Sequence, residues 1–359
     1  MSQTSYSNSK NRFLLIRTDR IGDTILTLPS VSAIRKNFPN SFIAFLSRPY
    51  TQPLIEQYSG IDLLITYDPD GRHKGWNGIA RLCKELKEYN FHAAILFYPK
   101  LELAFAINRA KIPVRIGTGF RWYSFFFTKR IYEHRKECKK HESEYNLGLL
   151  APLIPVWDKV PQFNFKHWNQ TPWWEKFNEE IKFNDYVIVH PGSGNSAPNL
   201  SKKQYKLIIQ LLLEKTDWTI LLTGISEEKQ FIHDLAINFS EERVREVVDR
   251  FSLEDFFSVV RNASLLIASS TGPIHMANAA KIPVLGFFCP AKPHTPIRWG
   301  PYDQKEWAIT PNLNWPDVCN SINCPHGGCL KKLSDLEITE VLCEKRLKNL
   351  QIQTNAKKD

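Results

Sequence analysis

The sequence contains no stretch that approaches the ~18 uncharged apolar residues of a membrane-spanning helix. Its first dozen residues, Met1 to Arg12, are polar and lack the apolar core of a secretory signal peptide. No short repeat period is present, which excludes collagen-like and solenoid architectures. These absences predict a globular protein of the cytosol.

The sequence also lacks the short motifs of several ligand-binding classes. It carries no helix-turn-helix signature, no RNA-recognition signature and no dense basic stripe, which leaves nucleic acid as the weakest partner hypothesis. Seven cysteines are present; Cys319, Cys324 and Cys329, with His326 between them, lack the paired spacing and the second pair that zinc sites use. We therefore predict no metal site. Because the chain is predicted to be cytosolic, we expect its cysteines to be thiols rather than disulfides.

What the chain does have is a core and an excess of positive charge. It comprises 359 residues, of which 43% are hydrophobic and 23% charged, and this length is typical of about two domains. Lysine and arginine number 47 against 37 acidic residues, a formal charge of +10. Such a balance favours an anionic partner: a nucleotide-activated substrate, an acidic membrane surface or nucleic acid.

Short apolar strands alternate with amphipathic helices along the chain, a pattern typical of parallel sheets with helices on both faces. Ile25, Leu28, Val31, Ile34 and Phe38 recur at helical spacing and predict one helix after the first strand. The predicted strands are Phe13–Ile16, Ser41–Leu46, Asp62–Thr66, Ala93–Phe97, Tyr186–His190, Trp218–Thr223, Arg245–Val248, Leu265–Ala268 and Pro283–Phe288. Helices are predicted near Gly78–Tyr89, Leu101–Arg109 and Ser252–Asn262, and from about Ser201 and Ser334.

The alternation stops between Trp157 and Asn184, a segment rich in proline and tryptophan, and then restarts. We therefore predict two doubly wound α/β domains, residues 1–165 and 166–359, joined by a linker that serves as a hinge. Ligands of such sheets bind at the carboxyl ends of the strands, so the expected site is the cleft between two facing sheets.

The polar loop that follows the first strand runs from Arg17 to Asp23. Gly22 permits close approach of the backbone to a ligand, and Asp23 falls at the start of a helix. Two interpretations stay open for Asp23: a helix-terminal charge or cap, or a general base.

Two loops of the second half contain the other candidate residues. His190 to Ser196 is a glycine loop after a strand, which can offer backbone N–H groups to a phosphate, although it fits neither the G-x-G-x-x-G fingerprint nor the P-loop. Ser270-Thr271-Gly272-Pro273 precedes a helix whose N-terminus is expected to be capped by Ser270 or Thr271 and to bind an anion. His275, in the first turn, can add a proton-dependent donor.

The segment Arg121–Arg130 is aromatic and has cations at both ends. One interpretation is a surface that rests on an anionic membrane or binds an amphiphilic acceptor. The alternative is a core strand with solvated flanks.

At these loops the chain resembles glycosyltransferase family 9, the ADP-heptose:lipopolysaccharide heptosyltransferases. The resemblance lies in the loop Arg17–Asp23, in the "HPGSG" element His190–Gly194, and in Ser270–Ala279 followed by Pro283-Val284. Arg298-Trp299-Gly300-Pro301 and Cys329-Leu330 are also typical of the family, and the similarity extends from about Phe13 to Leu350.

The resemblance implies a GT-B fold, with the acceptor bound mainly by the first domain and the nucleotide-sugar by the second. It implies an inverting, metal-independent transfer of heptose from ADP-heptose to a lipopolysaccharide core, without a cofactor, at the cytoplasmic face of the inner membrane. Asp23 matches the family's proposed general base. The expected donor-binding residues are Ser193, Gly194, Lys202, Glu227, Ser270, Thr271, Gly272 and His275. The expected acceptor contacts are Arg17, Arg20 and Arg121.

The chain departs from the family pattern at two positions. Ser270 replaces an aspartate that many members have, and Pro198 stands where many have a phosphate-contacting lysine, for which Lys202 or Lys203 are the candidate substitutes. Two alternatives therefore stay open: a glycosyltransferase of the same fold with another nucleotide-sugar, and a catalytically degenerate sugar-nucleotide binding protein.

Overall fold

A computed structural model of the chain describes residues 11–154, 161–166, 175–177, 179, 185–194, 197–240, 242–312 and 328–350. The chain divides into two compact units. The first contains the described residues up to Arg135 and from Glu142 to Lys166, and the second contains Lys136–His141 and the described residues from Glu175 onward. The predicted linker, Trp157–Asn184, lies largely outside the described residues, and the boundary between residues 165 and 166 stays a prediction.

The first unit is a six-stranded parallel sheet with the strand order β3-β2-β1-β4-β5-β6. Its strands are β1 (Arg12–Ile16), β2 (Phe42–Ser47), β3 (Leu63–Thr66), β4 (Ala93–Leu96), β5 (Val114–Thr118) and β6 (Lys129–Ile131). Its helices are α1 (Ile21–Ile25), α2 (Pro29–Asn37), α3 (Gln52–Glu56), α4 (Gly75–Glu88), α5 (Leu101–Arg109) and α6 (Glu142–Gly148).

The second unit is also a six-stranded parallel sheet, in the order β12-β11-β10-β7-β8-β9. Its strands are β7 (Tyr186–His190), β8 (Thr219–Gly224), β9 (Val244–Val248), β10 (Leu265–Ser269), β11 (Val284–Phe287) and β12 (Ala308–Ile309). Its helices are α7 (Lys202–Lys215), α8 (Lys229–Ala236), α9 (Leu253–Arg261), α10 (Gly272–Ala279), α11 (Pro296–Trp299) and α12 (Asp335–Thr339), which continues as a π-helical segment, Glu340–Leu347. The prediction of two doubly wound α/β halves is confirmed.

Strand β1 shows why these strands are apolar throughout rather than alternating. Leu14 and Ile16 enter a core on one face of the sheet, whereas Phe13 and Leu15 enter a second core on the other face. Because helices cover both faces of a parallel sheet, both sets of side chains must be apolar.

The single helix predicted over Ile25–Phe38 is wrong. The structure has the short helix α1, a turn through Thr27 and Leu28, and then α2, which begins at Pro29. Proline has no N–H to donate and its ring clashes with the preceding turn, so it is tolerated at the first helical position but not inside a helix. The apolar spacing continued across this break, and the prediction gave Pro29 too little weight.

Among the described residues, no helix is both long and apolar enough to span a bilayer. Of the three late cysteines, Cys329 is buried in the core of the second unit, while Cys319 and Cys324, like His326, lie outside the described residues.

Candidate active site

Both groups of candidate loops lie at the point where the strand order of a sheet reverses. In the first sheet this point is between β1 and β4, and the loop Arg17–Asp23 follows β1. In the second sheet it is between β7 and β10, and the glycine loop and Ser270–Thr271 follow these strands. At such a point the loops diverge above and below the sheet and leave a crevice at its carboxyl edge, where ligands of open α/β sheets bind.

In the first unit, Arg17 organises the loop after β1. Its side chain is 3% exposed. Nε and Nη2 donate to the two carboxylate oxygens of Asp19 at 2.6 and 2.8 Å, and Nη2 also donates to Asp23 Oδ1 at 2.5 Å. Nη1 lies 3.5 Å from Glu142 Oε1 and 3.3 Å from Asn146 Oδ1. The five N–H donors of the guanidinium therefore face five acceptor contacts.

This arrangement fixes the charge of the loop. Burial alone lowers the pKa of Arg17, but the negative charges of Asp19, Asp23 and Glu142 more than offset it, and the pKa ends above its ordinary value. Arg17 is therefore a permanent cation behind Asp23. The Asp23 side chain is 19% exposed, so its carboxylate is held by Arg17 and is still partly open to solvent.

The predicted acceptor contacts differ in their surroundings. Arg17 is enclosed by carboxylates, whereas Arg20, at the N-cap of α1, and Arg121 are exposed. No contact with an acceptor is part of the structure, so all three assignments stay predictions.

The segment Arg121–Arg130 is not the core strand of the alternative interpretation. Only Lys129 and Arg130 belong to a strand, β6, while Trp122 is 75% and Phe125 57% exposed. A chain of ring contacts connects this segment to α4 and α5. We call its members the aromatic patch: Trp76, Phe105, Phe126, Phe125 and Trp122, with successive ring centroids 5.5, 5.9, 4.4 and 6.4 Å apart.

In the second unit, Glu228 occupies the glycine loop. Its Oε1 accepts from the Gly194 backbone N–H at 3.1 Å, and its Oε2 accepts from that of Ile225 at 3.3 Å. Any side chain at Gly192 would overlap this carboxylate, and Gly194 has a φ of +50°. A side chain at Gly192 would therefore displace the Glu228 carboxylate, and the left-handed backbone at Gly194 favours glycine.

His190, at the end of β7, is not a cation for a phosphate at neutral pH. Burial lowers its pKa to about 4, although the charge of Glu228 acts in the opposite direction. Its Nδ1 lies 2.9 Å from Thr223 Oγ1, so the neutral ring is fixed by a hydrogen bond to β8.

Asn199 joins the two loops of this unit. Its amide nitrogen donates to the Pro191 carbonyl, and its Oδ1 accepts from Ser269 Oγ at 2.5 Å and from Tyr205 OH at 2.6 Å. The glycine loop and the start of the Ser270–Thr271 segment are therefore held together at one edge of the sheet.

The helix α10 begins with Thr271 at the N-cap position, but no side chain caps it. The predicted capping by Ser270 or Thr271 is therefore wrong. Thr271 Oγ1 is buried and finds no hydrogen-bond partner among the described residues. A buried hydroxyl without a partner costs free energy, so its position at a helix N-terminus favours a ligand that would satisfy it. His275, one turn on, is 6% exposed and lies 6.3 Å from the Trp299 ring.

The remaining predicted donor contacts lie apart from these groups or have other partners. Lys202 Nζ pairs with Asp234 at 2.5 Å, and Lys203 Nζ pairs with Asp335 at 2.8 Å. Glu227 is exposed, and its neighbour Glu228 is the carboxylate that contacts the loop. Ser193 Oγ donates to the Ala197 carbonyl at 3.1 Å. Exposed ion pairs contribute little to stability, so a ligand could redirect Lys202, and its role stays a prediction.

Sequence reasoning missed Glu142, Asn199 and Glu228. Asn199 follows Pro198 in a segment without periodicity, and Glu142 is 125 residues from Arg17, so neither contact has a local signal. Glu228 could have been found by considering both members of the Glu227-Glu228 pair.

The chain is similar to known glycosyltransferases. The family model that matches is glycosyltransferase family 9 (heptosyltransferase), over residues 79–329. A putative glycosyltransferase of Haemophilus influenzae is 28% identical over 299 residues, 81% of this chain and 86% of that protein.

Solved structures show the fold. The family 9 glycosyl transferase of Veillonella parvula has a TM-score of 0.78 at 19% identity and covers 96% of this chain and 98% of its own. The Escherichia coli ADP-heptose lipopolysaccharide heptosyltransferase II has a TM-score of 0.72 at 16% identity and covers 96% and 99%. The predicted GT-B class is thereby confirmed.

Proposed function

Because the family model matches well over half of its length, the chain belongs to glycosyltransferase family 9 and is a glycosyltransferase, and we propose that it moves a heptose from ADP-heptose to a hydroxyl of a lipopolysaccharide core acceptor. In the proposed reaction the anomeric configuration inverts, and neither a metal ion nor a cofactor takes part. The observation that carries the proposal is a partly exposed carboxylate, Asp23, oriented by a buried arginine at the carboxyl edge of the first sheet.

Asp23 is the general base of the proposed reaction. As the acceptor oxygen attacks the anomeric carbon, the bond from that carbon to the diphosphate breaks and the hydroxyl proton passes to Asp23. A carboxylate in this position contributes about 10²- to 10⁴-fold to the rate. Because the displacement is direct, no nucleophilic side chain is required.

The leaving diphosphate gains negative charge, which the second unit stabilises. Its candidates are the N-terminus of α10 at Gly272, the Thr271 hydroxyl and His275, with Ser270 beside them. Ser193 and the Gly194 N–H would join them by leaving the Ala197 carbonyl and the Glu228 carboxylate. Lys202 would join them by leaving Asp234.

Acceptor binding is assigned to the first unit, with Arg20 and Arg121 as exposed cations for an anionic glycolipid. The aromatic patch lies beside Arg121, Lys129 and Arg130, and exposed aromatic rings with flanking cations fit the interface of an anionic bilayer. The proposal therefore sets the enzyme in the cytoplasm, in peripheral contact with the inner membrane.

A second candidate is the same reaction with another nucleotide-sugar. It is favoured by Pro198 at the position of the family's phosphate-contacting lysine and by the ion pairs that occupy Lys202 and Lys203. A binding protein without activity is the remaining alternative.

A thermal-shift screen tests the donor. The full chain is melted with ADP, UDP, GDP, CDP and their sugar conjugates, and the response to ADP-heptose is expected to be the largest. A selective response to another nucleotide would support the second candidate. If ADP-heptose binds but neither transfer nor acceptor-independent hydrolysis is detected, the chain is a binding protein.

A further inference from the structure

The guanidinium of Arg17 connects the base to a second set of buried polar groups. We propose that Glu142 and Asn146, on α6, are positioning residues that act on Asp23 through Arg17. The inference rests on the proposed role of Asp23 as the base. It concerns residues of the first unit alone.

The geometry of Arg17 leaves it little freedom. Its planar guanidinium is held at one edge by Asp19, in a two-pronged pair, and at the opposite edge by Glu142 and Asn146. Asp23 contacts Nη2, which it shares with Asp19. Because the group is planar and its donors are fixed relative to one another, a rotation that improved one contact would lengthen the others.

Glu142 is placed to set that orientation. Its side chain is 1% exposed, and its Oε1 accepts from Arg17 Nη1 and, more closely, from Arg135 Nη1. Two guanidinium groups therefore meet at one buried carboxylate. A carboxylate enclosed in this way needs its partners, and its removal would leave both arginines without a shared anion.

Asn146, one turn farther along α6, fixes the backbone that carries the base. Its Oδ1 accepts from Arg17 at 3.3 Å, and its Nδ2 donates to the Leu26 carbonyl at 3.0 Å and to Thr27 Oγ1 at 3.1 Å. The Thr27 hydroxyl in turn donates to the Asp23 carbonyl at 2.9 Å. Asn146 thus contacts both the partner of the Asp23 side chain and the end of α1.

Together these contacts hold the base from two directions: its carboxylate through Arg17 and its backbone through Thr27. Catalytic groups lose rate steeply when displaced, by as much as about 10²-fold for 1 Å. Hydrogen bonds through Arg17 and Thr27 connect Glu142 and Asn146 to Asp23, and the proposed reaction brings neither residue into contact with a substrate.

The test is a double-mutant cycle with Glu142→Gln, Asp23→Asn and the double variant, assayed with ADP-heptose and a heptose-deficient lipopolysaccharide core. Glu142→Gln keeps the size of the side chain and removes its charge. It is expected to lower kcat about 10-fold, with both KM values within about twofold. In the Asp23→Asn background the same change is expected to have no further effect on the rate.

The Asp23→Asn rates are measured in single turnovers with enzyme in excess, because a lost base costs about 10²- to 10⁴-fold. Glu88→Gln, at an exposed glutamate of α4, is the matched control and should leave kcat unchanged. If Glu142→Gln does not fold, Asn146→Ser replaces it in the cycle.

The outcomes separate the two ideas. An equal loss in both backgrounds, or an unchanged kcat in a folded Glu142→Gln, overturns the positioning role while the base assignment stands. Near-wild-type turnover of Asp23→Asn overturns the base itself, and with it the proposed mechanism.

Discussion

The two switch-point loops belong to sheets of similar construction, but their polar groups are arranged in opposite ways. The loop after β1 is built from full charges: Arg17 lies among Asp19, Asp23 and Glu142. The loops after β7 and β10 hold a neutral histidine, backbone N–H groups with one carboxylate, and a buried Thr271 hydroxyl without a partner among the described residues.

The two arrangements suit the loops to different chemical tasks. A carboxylate anchored to a permanent cation keeps its place while it accepts a proton. A buried donor at a helix N-terminus is satisfied only when an acceptor arrives, as a diphosphate oxygen would. The first loop is thus suited to the proton transfer of the proposed reaction, and the second to its binding of the diphosphate.

The largest expected effect comes from Asp23→Asn. The variant keeps an oxygen for Arg17 and should fold, but it cannot take the acceptor proton, so kcat should fall about 10²- to 10⁴-fold. The rate is followed by ADP release from ADP-heptose, and thermal melting checks the fold. Turnover close to wild type would show that Asp23 is not the base, and the contrast in charge between the two loops would then have no catalytic role.

Thr271→Val tests the second loop. Valine has nearly the same shape, and the hydroxyl that it removes has no partner in the described part of the chain, so the melting temperature without ligand should hold or rise. Binding of ADP should weaken by about 1–3 kcal/mol, or roughly 5- to 150-fold, by calorimetry. Unchanged ADP affinity would show that the hydroxyl does not meet the donor.

The next prediction concerns the aromatic patch, which belongs to neither of the two switch-point loops. Replacing Trp122 and Phe125 by alanine removes apolar surface, so flotation with anionic vesicles should show at least about 10-fold weaker binding. Ile237→Ala, at a residue of the second unit that is 64% exposed, is the matched control. If the wild-type chain fails to bind at moderate salt, the patch has no membrane role.

The smallest expected effect is the contribution of His190 to the pH dependence of the free energy of unfolding, and this contribution does not vary with pH near neutrality. Its folded pKa, about 4, lies below the unfolded value of about 6.5, so between these values the unfolded chain binds more protons. This contribution to the free energy of unfolding is complete above pH ~6.5 and is lost as the pH falls toward 4. In denaturant titrations of the wild-type chain and His190→Asn, the variant should show a flatter slope over this window, and an unchanged slope would contradict the prediction.

Prediction from sequence succeeded where the signal was local. Ser201 and Ser252 were expected to begin helices, and both side chains accept from the backbone three residues on. It failed at Pro29, where apolar spacing outweighed a helix breaker, and at Thr271, where position at a helix start did not bring the side chain into a cap. The spacing of residues in the sequence does not show in which direction a backbone turn points each hydroxyl group.

The two α/β halves, most of their strands, and the loops at the strands' carboxyl ends can all be predicted from the sequence. These follow from apolar periodicity and from residues close together in the chain. Tertiary packing alone brings Glu228 rather than Glu227 to the glycine loop and adds Glu142, 125 residues from Arg17, to the carboxylates around that arginine. The Arg17–Glu142 and Gly194–Glu228 contacts join segments that are distant in sequence and meet only when the sheets and helices pack.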